Sequence, residues 1–223
     1  MPYENALSTT AYPLLSEIPQ PVLNVISYIE EAGYEAWIVG GFVRDALRDV
    51  APHDADIATN ARWEAVAHIT RDKGCAVYET GTKHGTVTIV CDDYPIEITT
   101  FRSEAPYIDH RHPSSVTFVS SITEDLARRD FTINAMAFHP TRGLVDPYNG
   151  QEDLHQQLIR CVGSPLQRFQ EDALRIVRAL RFASQLSFSI AIDTENALFE
   201  KAPTLEHVAG ERIAVELEGM LCG

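Results

Sequence analysis

Long apolar runs are missing from this sequence. No segment approaches the roughly 18 consecutive apolar residues that a membrane-spanning helix needs, and no early stretch joins a basic flank to an unbroken apolar run. We therefore expect a soluble, cytoplasmic protein that does not use a membrane as a partner. With 223 residues, of which 45% are hydrophobic, the chain can bury a core in one large domain or in two modest ones.

Cysteine is scarce and scattered. Cys75, Cys91, Cys161 and Cys222 form no CxxC pair, and no histidine stands near them at zinc-finger spacing. Neither a disulfide framework nor a structural zinc site is predicted. We expect free thiols, some of them buried.

Basic residues are also few. The chain has 18 Lys and Arg residues and 32 Asp and Glu residues, which gives a net charge of −14. A negative net charge is opposite to that expected of a protein that binds many nucleic-acid phosphates. Binding to RNA then requires that the basic residues gather on one face, or that RNA contacts come from parts that this chain lacks.

The order of local patterns divides the chain into three parts. Residues 1–20 hold three prolines and little periodicity, and are interpreted as an N-terminal arm. Residues 21–145 mix helical and strand patterns, and residues 146–223 are dominated by helical patterns. Segments with strand character are residues 36–39, 54–58, 76–78, 85–91 and 94–101. Residues 101–116, rich in charge, His and Pro, are predicted to form a mobile loop.

Three carboxylates have the spacing of a metal site. Asp54 and Asp56 lie two residues apart on a predicted strand, so both project from the same face of a sheet. Glu97 stands between Ile96 and Ile98 on another predicted strand, and points away from the core if the isoleucines face it. Together these side chains can hold two Mg²⁺ ions about 3.5–4 Å apart. The alternative is chance, because two aspartates at this spacing are common in acidic proteins.

A glycine turn follows the first predicted strand. Gly40-Gly41 lets backbone N–H groups approach a phosphate, and Arg44 one helical turn later can add charge-assisted hydrogen bonds. Without the neighbouring carboxylates, Arg44 and Asp45 are equally well interpreted as a surface ion pair.

Residues 171–182 form a pattern typical of one amphipathic helix. Apolar residues gather on one arc and charged residues on the other. The apolar set is Ala173, Ile176, Val177 and Leu180, and the charged set is Asp172, Arg175, Arg178 and Arg181. From these residues alone, a solvated face with local ion pairs is the simpler interpretation.

Four blocks in this order resemble the class II tRNA nucleotidyltransferases, the bacterial CCA-adding enzymes and their poly(A) polymerase relatives. The blocks are residues 40–45 (GGFVRD), 54–59 (DADIAT), 128–137 (RRDFTINAMA) and 171–182 (EDALRIVRALRF). The resemblance covers residues 22–217. It implies an α+β fold: a nucleotidyltransferase head with a five-stranded mixed sheet and flanking helices, followed by an all-helical neck. The helical body and tail that hold tRNA in this family are expected to be absent from this chain.

The resemblance also assigns site residues. The metal-binding and catalytic carboxylates would be Asp54, Asp56 and Glu97. The nucleotide-binding residues would be Gly40, Gly41, Arg44, Arg129, Asp130, Asn134, Asp172, Arg175, Arg178 and Arg181. Within that set, the block of Asp130 and Asn134 recognises the ribose, while Asp172 and Arg175 pair with the edge of the incoming base.

The implied activity is that of a CCA tRNA nucleotidyltransferase. Such an enzyme adds C and A from CTP and ATP to an RNA 3′ end, above all that of tRNA, without a nucleic-acid template and with Mg²⁺. A carboxylate accepts a hydrogen bond from the exocyclic amino group that C and A share, whereas U and G present the opposite pattern. Two alternatives stay open: an A-adding enzyme or poly(A) polymerase of the same family, and a nucleotide- or RNA-binding module without catalysis.

Overall fold

The backbone alternates short strands and helices in its first part and is mainly helical in its second. In this computed structural model, residues 18–52, 54–104 and 116–222 are described. The helices are α1 Gln20–Glu31, α2 Gly41–Leu47, α3 Trp63–Asp72, α4 Ile122–Ala127, α5 Gly150–His155, α6 Pro165–Glu171, α7 Leu174–Leu186, α8 Ile192–Lys201 and α9 Gly210–Cys222. The strands are β1 Ala36–Val39, β2 Ala55–Thr59, β3 Ala76–Tyr78, β4 Thr86–Cys91, β5 Tyr94–Thr100, β6 Arg102–Glu104, β7 Val116–Phe118, β8 Ala137–His139, β9 Gly143–Val145, β10 Leu158–Ile159 and β11 Ser189–Ile190.

The chain divides into two units, each built from separate segments. The first unit contains the described residues up to Ser103, with Phe118–Leu126 and Met136–Pro147. The second contains Ala127–Ala135, Tyr148–Gly223 and the few described residues of Glu104–Thr117. The sequence-based boundary after residue 145 differs from this division. Residues 127–135 and the described residues of Glu104–Thr117 group with the helical unit, and residues 146–147 group with the first unit.

The first unit is built on one mixed sheet. Its strand order among the described residues is β3-β4-β5-β2-β1-β8-β9, and the β2–β5 pairing is parallel. The mixed head fold expected from sequence is confirmed, but the sheet has seven strands where five were expected. The two extra strands, β8 and β9, form a hairpin of three-residue strands, which are too short for a period-two pattern to reveal.

Two helices bury the apolar side of this sheet. Val22, Val25, Ile26 and Ile29 of α1 recur at helical spacing and are buried, and α1 contacts both β1 and α3. Helix α3 in turn contacts β3, β4 and β5. The alternating burial of β4 and β5 shows that one face of these strands packs in the core, which leaves their other face available.

The cysteine expectation was wrong for one pair. Cys75 and Cys91 form a disulfide, whereas Cys161 and Cys222 are free. The β3–β4 register pairs Ala76 with Val90, so the next pair outward places Cys75 opposite Cys91. A separation of 16 residues gave no sequence signal, because the pairing depends on the hairpin register.

The second unit is mainly helical, but the expectation of an all-helical neck was wrong because this unit also contains strands. β10 and β11 pair in parallel, and Phe131 bridges to Cys161. Helix α7 contacts α9, α6 contacts α8, and the rings of Phe131 and Phe182 meet edge-on with centroids 5.8 Å apart. The segment 127–135 is therefore tied into the helical unit by its own core.

Some expectations lie outside the described residues. These are the arm up to residue 17 and residues 105–115 of the predicted loop. Within the described ranges, no helix combines the length and apolarity needed to cross a membrane.

The tight packing at Gly85 generates a stability prediction. A Cβ added at Gly85, where φ is +76°, would lie 2.7 Å from Cε1 of Phe118. At Gly33, where φ is +87°, an added Cβ would meet nothing within 4 Å among the described residues. Gly33→Ala should therefore cost only the left-handed backbone strain, about 1 kcal/mol. Gly85→Ala should cost about 1–3 kcal/mol more because the Phe118 ring must move.

Urea denaturation of the two variants measures this difference directly. Equal losses in Gly33→Ala and Gly85→Ala would show that Phe118 does not restrict the space at Gly85.

Candidate active site

The register of two parallel strands brings two of the predicted carboxylates together. Asp56 on β2 is the direct partner of Glu97 on β5. Both side chains are exposed, while their neighbours Ile57 and Ile96 are buried. The two carboxylates therefore stand side by side on the open face of the sheet.

Asp54 lies just before β2 begins, and its side chain is also exposed. Burial raises the pKa of Tyr94, the first residue of β5, and the charge of Asp54 raises that pKa further. The carboxylate of Asp54 is thus close enough to β5 to act on a side chain of that strand. All three predicted carboxylates therefore lie near the point where the pairing of β2 with β5 begins.

The glycine turn lies beside these strands. Val39, the last residue of β1, pairs with Asp56, and Gly40 follows it with φ 70° and ψ −131°. This conformation needs a glycine, because a Cβ would be strained there. The Gly40-Gly41 turn thus begins directly after Val39, the residue that pairs with Asp56.

Arg44 is held against this turn by an ion pair. Its Nε and Nη2 donate to Asp45 Oδ1 and Oδ2 at 2.9 and 2.8 Å. A Cβ on Gly41 would lie 3.6 Å from Arg44 Nη2. The ion pair proposed from sequence as the alternative therefore exists, and it also fixes the guanidinium beside the glycines.

The carboxylates do not by themselves complete the coordination shell of a hard divalent cation. Among the described residues, no group of three or more His, Cys, Asp or Glu side chains is placed to hold an ion by itself. Magnesium is usually bound by one or two carboxylates together with waters and substrate phosphates. Like charges placed directly opposite on neighbouring strands repel, and a cation relieves that repulsion. The in-register pair of Asp56 and Glu97 provides such a place.

In the helical unit, Asp130 lies at the centre of a polar network. Its Oδ1 accepts from the Phe131 N–H at 2.8 Å and from Asn134 Nδ2 at 3.3 Å. Its Oδ2 accepts from Arg178 Nε and Nη2 at 2.8 and 2.6 Å. Burial raises the pKa of Asp130, but the charge and hydrogen bonds of Arg178 outweigh burial and lower that pKa to about 2. Three predicted nucleotide-binding residues thus form one connected group, in which Arg178 is neutralised by protein.

Arg129 and Arg181 also have partners within the helical unit. Arg129 Nη1 donates to the backbone oxygen of Asn134 at 3.4 Å. Arg181 donates from Nε to Glu216 Oε2 at 2.5 Å, and its guanidinium lies over the Phe182 ring, 4.2 Å from the centroid.

The predicted helix over residues 171–182 is broken. Helix α6 ends at Glu171 and α7 begins at Leu174, with Asp172 in an extended conformation, φ −139° and ψ 107°. Asp172 Oδ1 accepts from the Leu174 N–H at 3.0 Å, so its side chain competes with helical continuation. The helical periodicity of the sequence did not reveal this break, because the apolar residues before and after Asp172 continue at helical spacing.

Two residues of this segment have a burial opposite to the expected one. Arg175, placed on the open face by the pattern, is 8% exposed, and Leu180, placed in the core, is 41% exposed. Arg175 Nη1 donates to Glu171 Oε2 at 2.7 Å, and its Nη2 donates to the backbone oxygen of Arg128 at 3.1 Å. The orientation of α7 therefore directs the Arg175 side chain toward acceptors within the protein.

Sequence reasoning missed two partners on α9. Arg212 Nη2 donates to Asp172 Oδ2 at 2.9 Å, and Glu216 contacts both Arg178 and Arg181. Arg212 and Glu216 lie one helical turn apart on α9. No local sequence signal reveals these contacts, because the partners are separated by 40 and 35 residues in the chain.

Comparison with known proteins supports the family resemblance. The family described as "Poly A polymerase head domain" matches residues 36–160, and "Probable RNA and SrmB- binding site of polymerase A" matches residues 187–223. A CCA-adding enzyme of Geobacillus thermodenitrificans is 48% identical over 204 residues, which are 92% of this chain and 50% of that protein.

Solved structures agree. The Bacillus stearothermophilus CCA-adding enzyme in complex with CTP matches with a TM-score of 0.83 and 43% identity, over 92% of this chain and 48% of that one. A tRNA nucleotidyltransferase complexed with a primer tRNA and an incoming ATP analog matches with a TM-score of 0.71 and 32% identity, over 87% of this chain and 55% of that one.

The chain belongs to the CCA-adding enzyme and poly(A) polymerase family of nucleotidyltransferases. The family expectation from the four sequence blocks is confirmed. Members of this family typically use divalent metal ions. The chain spans about half the length of the curated relatives that it matches.

The Asp130 network predicts a pH dependence of stability. The pKa of Asp130 is lowered from its ordinary value of 3.8 to about 2 in the folded state, because Arg178 outweighs burial. Because folding lowers this pKa, the ionised carboxylate stabilises the folded protein at pH values above the pKa of the unfolded state. This stabilisation is lost as the pH falls through the pKa of the folded state. Asp130→Asn should therefore destabilise the protein by on the order of 2 kcal/mol at pH 7. The deficit should shrink between about pH 4 and pH 2.

Denaturant unfolding at a series of pH values checks this, with the exposed Glu218→Gln on α9 as the control. A deficit of the same size at pH 7 and at pH 2 would mean that the Asp130 charge does not contribute through Arg178.

Proposed function

We propose that this chain carries the catalytic and base-recognising parts of a CCA-adding enzyme, which transfers C and A from CTP and ATP to the 3′ end of tRNA. The observation that carries the proposal is the in-register pairing of Asp56 with Glu97, next to the strand that leads into Gly40-Gly41. The relatives support it, since one was solved with CTP and another with a primer tRNA and an ATP analog.

The first unit would bind the triphosphate and the metal. Mg²⁺ would be held by Asp54, Asp56 and Glu97, and there it would help to ionise the 3′ hydroxyl and would neutralise charge on the phosphates. The backbone N–H groups of the Gly40-Gly41 turn would donate to phosphate oxygens. Arg44, already oriented by Asp45, would add charge-assisted hydrogen bonds without losing much side-chain entropy.

The reaction itself is the transfer of a nucleotidyl group. The 3′ hydroxyl oxygen of the RNA forms a bond to the α-phosphorus of the nucleotide, the bond from that phosphorus to the leaving pyrophosphate breaks, and the hydroxyl proton passes to solvent. Catalysis of this step consists mostly of positioning and electrostatic stabilisation, which carboxylates, glycine N–H groups and a fixed guanidinium supply.

The second unit would select the base. Asp172 can accept from the exocyclic amino group shared by C and A, because an ionised carboxylate only accepts hydrogen bonds. Arg175 would donate to a ring nitrogen or carbonyl oxygen of the base, with its guanidinium oriented by Glu171. Asp130 and Asn134 would recognise the ribose, while Arg129, Arg178 and Arg181 would contact the nucleotide.

Removing one carboxylate of the β2–β5 pair tests the proposal. Asp56→Asn and Glu97→Gln keep size and strand propensity but remove the charge that binds metal. Nucleotide addition to tRNA ending before CCA should fall by about three orders of magnitude in Asp56→Asn, with little change in folding because the side chain is exposed. Glu97→Gln should also reduce activity, though less strongly.

The matched control is Asp93→Asn in the β4–β5 turn. Asp93 is exposed and has φ 61°, which Asn tolerates, so this variant removes one negative charge from the same hairpin without affecting the proposed site. Near-normal Mg²⁺-dependent turnover in Asp56→Asn would refute the metal assignment.

A further inference from the structure

The open face of the sheet in the first unit carries a row of side chains that leads from the proposed metal site to the edge strand β3. Tyr78 on β3 pairs with Thr88 on β4, which pairs in turn with Glu97 on β5. Glu97 pairs with Asp56 on β2. Residues that pair directly across neighbouring strands project from the same face. The Tyr78 ring and the two carboxylates therefore share one surface.

Tyr78 is the aromatic end of this row and is 54% exposed. A single exposed aromatic residue is ordinary in a folded protein, so the position of Tyr78 in register with the carboxylates is what singles it out. Between the ring and Glu97 stands only the short side chain of Thr88, whose Oγ1 lies 3.4 Å from that of Thr80. The row thus consists of an aromatic ring, a low polar step and the carboxylates.

We propose that Tyr78 is a binding residue for the RNA substrate, whose ring stacks on a base near the 3′ end while Thr88 faces the adjoining sugar and phosphate. This inference rests on the proposed nucleotidyl transfer at Asp56 and Glu97. Neither Tyr78 nor Thr88 was among the site residues predicted from sequence.

The position of the glycine turn determines the direction from which the RNA arrives. Asp56 pairs with Val39 on one side and with Glu97 on the other. Val39 leads into the Gly40-Gly41 turn, which is the proposed place of the triphosphate. The attacking and leaving oxygens of such a transfer lie roughly in line. The attacking 3′ hydroxyl therefore comes from the side of β5, and the RNA behind it continues over β4 and β3.

The spacing of the strands fits this course. β4 separates β3 from β5, so two steps of about 4.8 Å place Tyr78 on the order of 10 Å from Glu97 across the sheet. Stacked bases follow one another at about 3.4 Å along one strand. With the terminal nucleotide at Glu97, the ring is in reach of the second or third base from the 3′ end.

The charges around Tyr78 suit an RNA backbone. The adjacent carboxylate of Glu79 is paired with Arg71, with 2.6 Å between Oε1 and Nη2, so its negative charge is compensated. Lys83 is exposed in the turn Thr82–His84 that follows, and it adds a positive charge near the row.

Stacking also suits a substrate whose end changes. Base–aromatic stacking tolerates any base, because every base has a π-face. In the proposed reaction the RNA end gains one nucleotide at each step, so the bases near the end differ from one addition to the next. A platform without base preference holds each of these ends in turn.

The experiment measures the addition of A to an RNA hairpin whose single-stranded 3′ end stops at CC, with kcat and separate KM values for the RNA and for ATP. In Tyr78→Ala, KM for the RNA should rise about tenfold, the usual effect of losing one stacked base, while KM for ATP stays unchanged. Tyr78→Phe keeps the ring and should behave as the wild type. The matched control is Tyr34→Ala, because Tyr34 is an exposed tyrosine of the same unit that precedes β1 and lies outside the row.

A second arm removes the base instead of the ring. Hairpins with an abasic nucleotide second or third from the 3′ end are compared in the wild type and in Tyr78→Ala. If the ring stacks on one of these bases, its removal should raise KM for the RNA in the wild type but cause no further rise in Tyr78→Ala.

The outcomes separate this inference from the proposed function. An unchanged KM for the RNA in Tyr78→Ala, an equal loss in Tyr78→Phe, or multiplied effects at both abasic positions would overturn the inference. Inactive Asp56→Asn alongside any of these results would leave the proposed function standing. Full activity of Asp56→Asn would refute the proposed function instead.

Discussion

The parallel pairing of β2 with β5 is the constraint on which the proposed chemistry depends. It joins two strands that are separated in the chain by α3, β3 and β4, and it aligns Asp56 with Glu97. The neighbouring isoleucines and alanines are buried, so a slip of one residue would turn both carboxylates into the core. Hydrophobic burial therefore fixes the register, and the register fixes the carboxylate pair. The antiparallel pairing of Val39 with Asp56 then brings the Gly40-Gly41 turn to the same strand.

A different principle organises the helical unit. There, buried and half-buried charges hold one another: Asp130 with Arg178, Glu171 with Arg175, Asp172 with Arg212, and Glu216 with Arg181. Each predicted nucleotide-binding side chain on α7 is oriented by a protein partner before any nucleotide is present. Preorganisation of this kind lowers the entropy that binding must otherwise cost. The two interpretations of the charged face of residues 171–182 are therefore compatible. The ion pairs are present, and they orient the side chains that are proposed to bind the nucleotide.

The sequence predicted much of this arrangement, and its failures have identifiable causes. Strand alternation correctly placed Asp56 and Glu97 away from the core, since that inference needs only local periodicity. The partners Arg212 and Glu216 were missed because they lie 40 and 35 residues from Asp172 and Arg181, and no local pattern records such contacts. The helix break at Asp172 was missed because a side-chain hydrogen bond, not a glycine or proline, interrupts the helix. The disulfide and the β8–β9 hairpin were missed for the related reason that register and short strand length carry no periodic signal.

The exposed carboxylates at the paired ends of β2 and β5 are proposed to form a divalent-metal site together with a bound triphosphate. The most direct measurement is anomalous diffraction from crystals of the protein grown with CTP and Mn²⁺, which replaces Mg²⁺ and scatters strongly. We expect an anomalous peak within roughly 2.0–2.5 Å of carboxylate oxygens of Asp56 and of at least one of Asp54 and Glu97, as hard-cation coordination requires. Bound CTP with its manganese held away from all three carboxylates would contradict it.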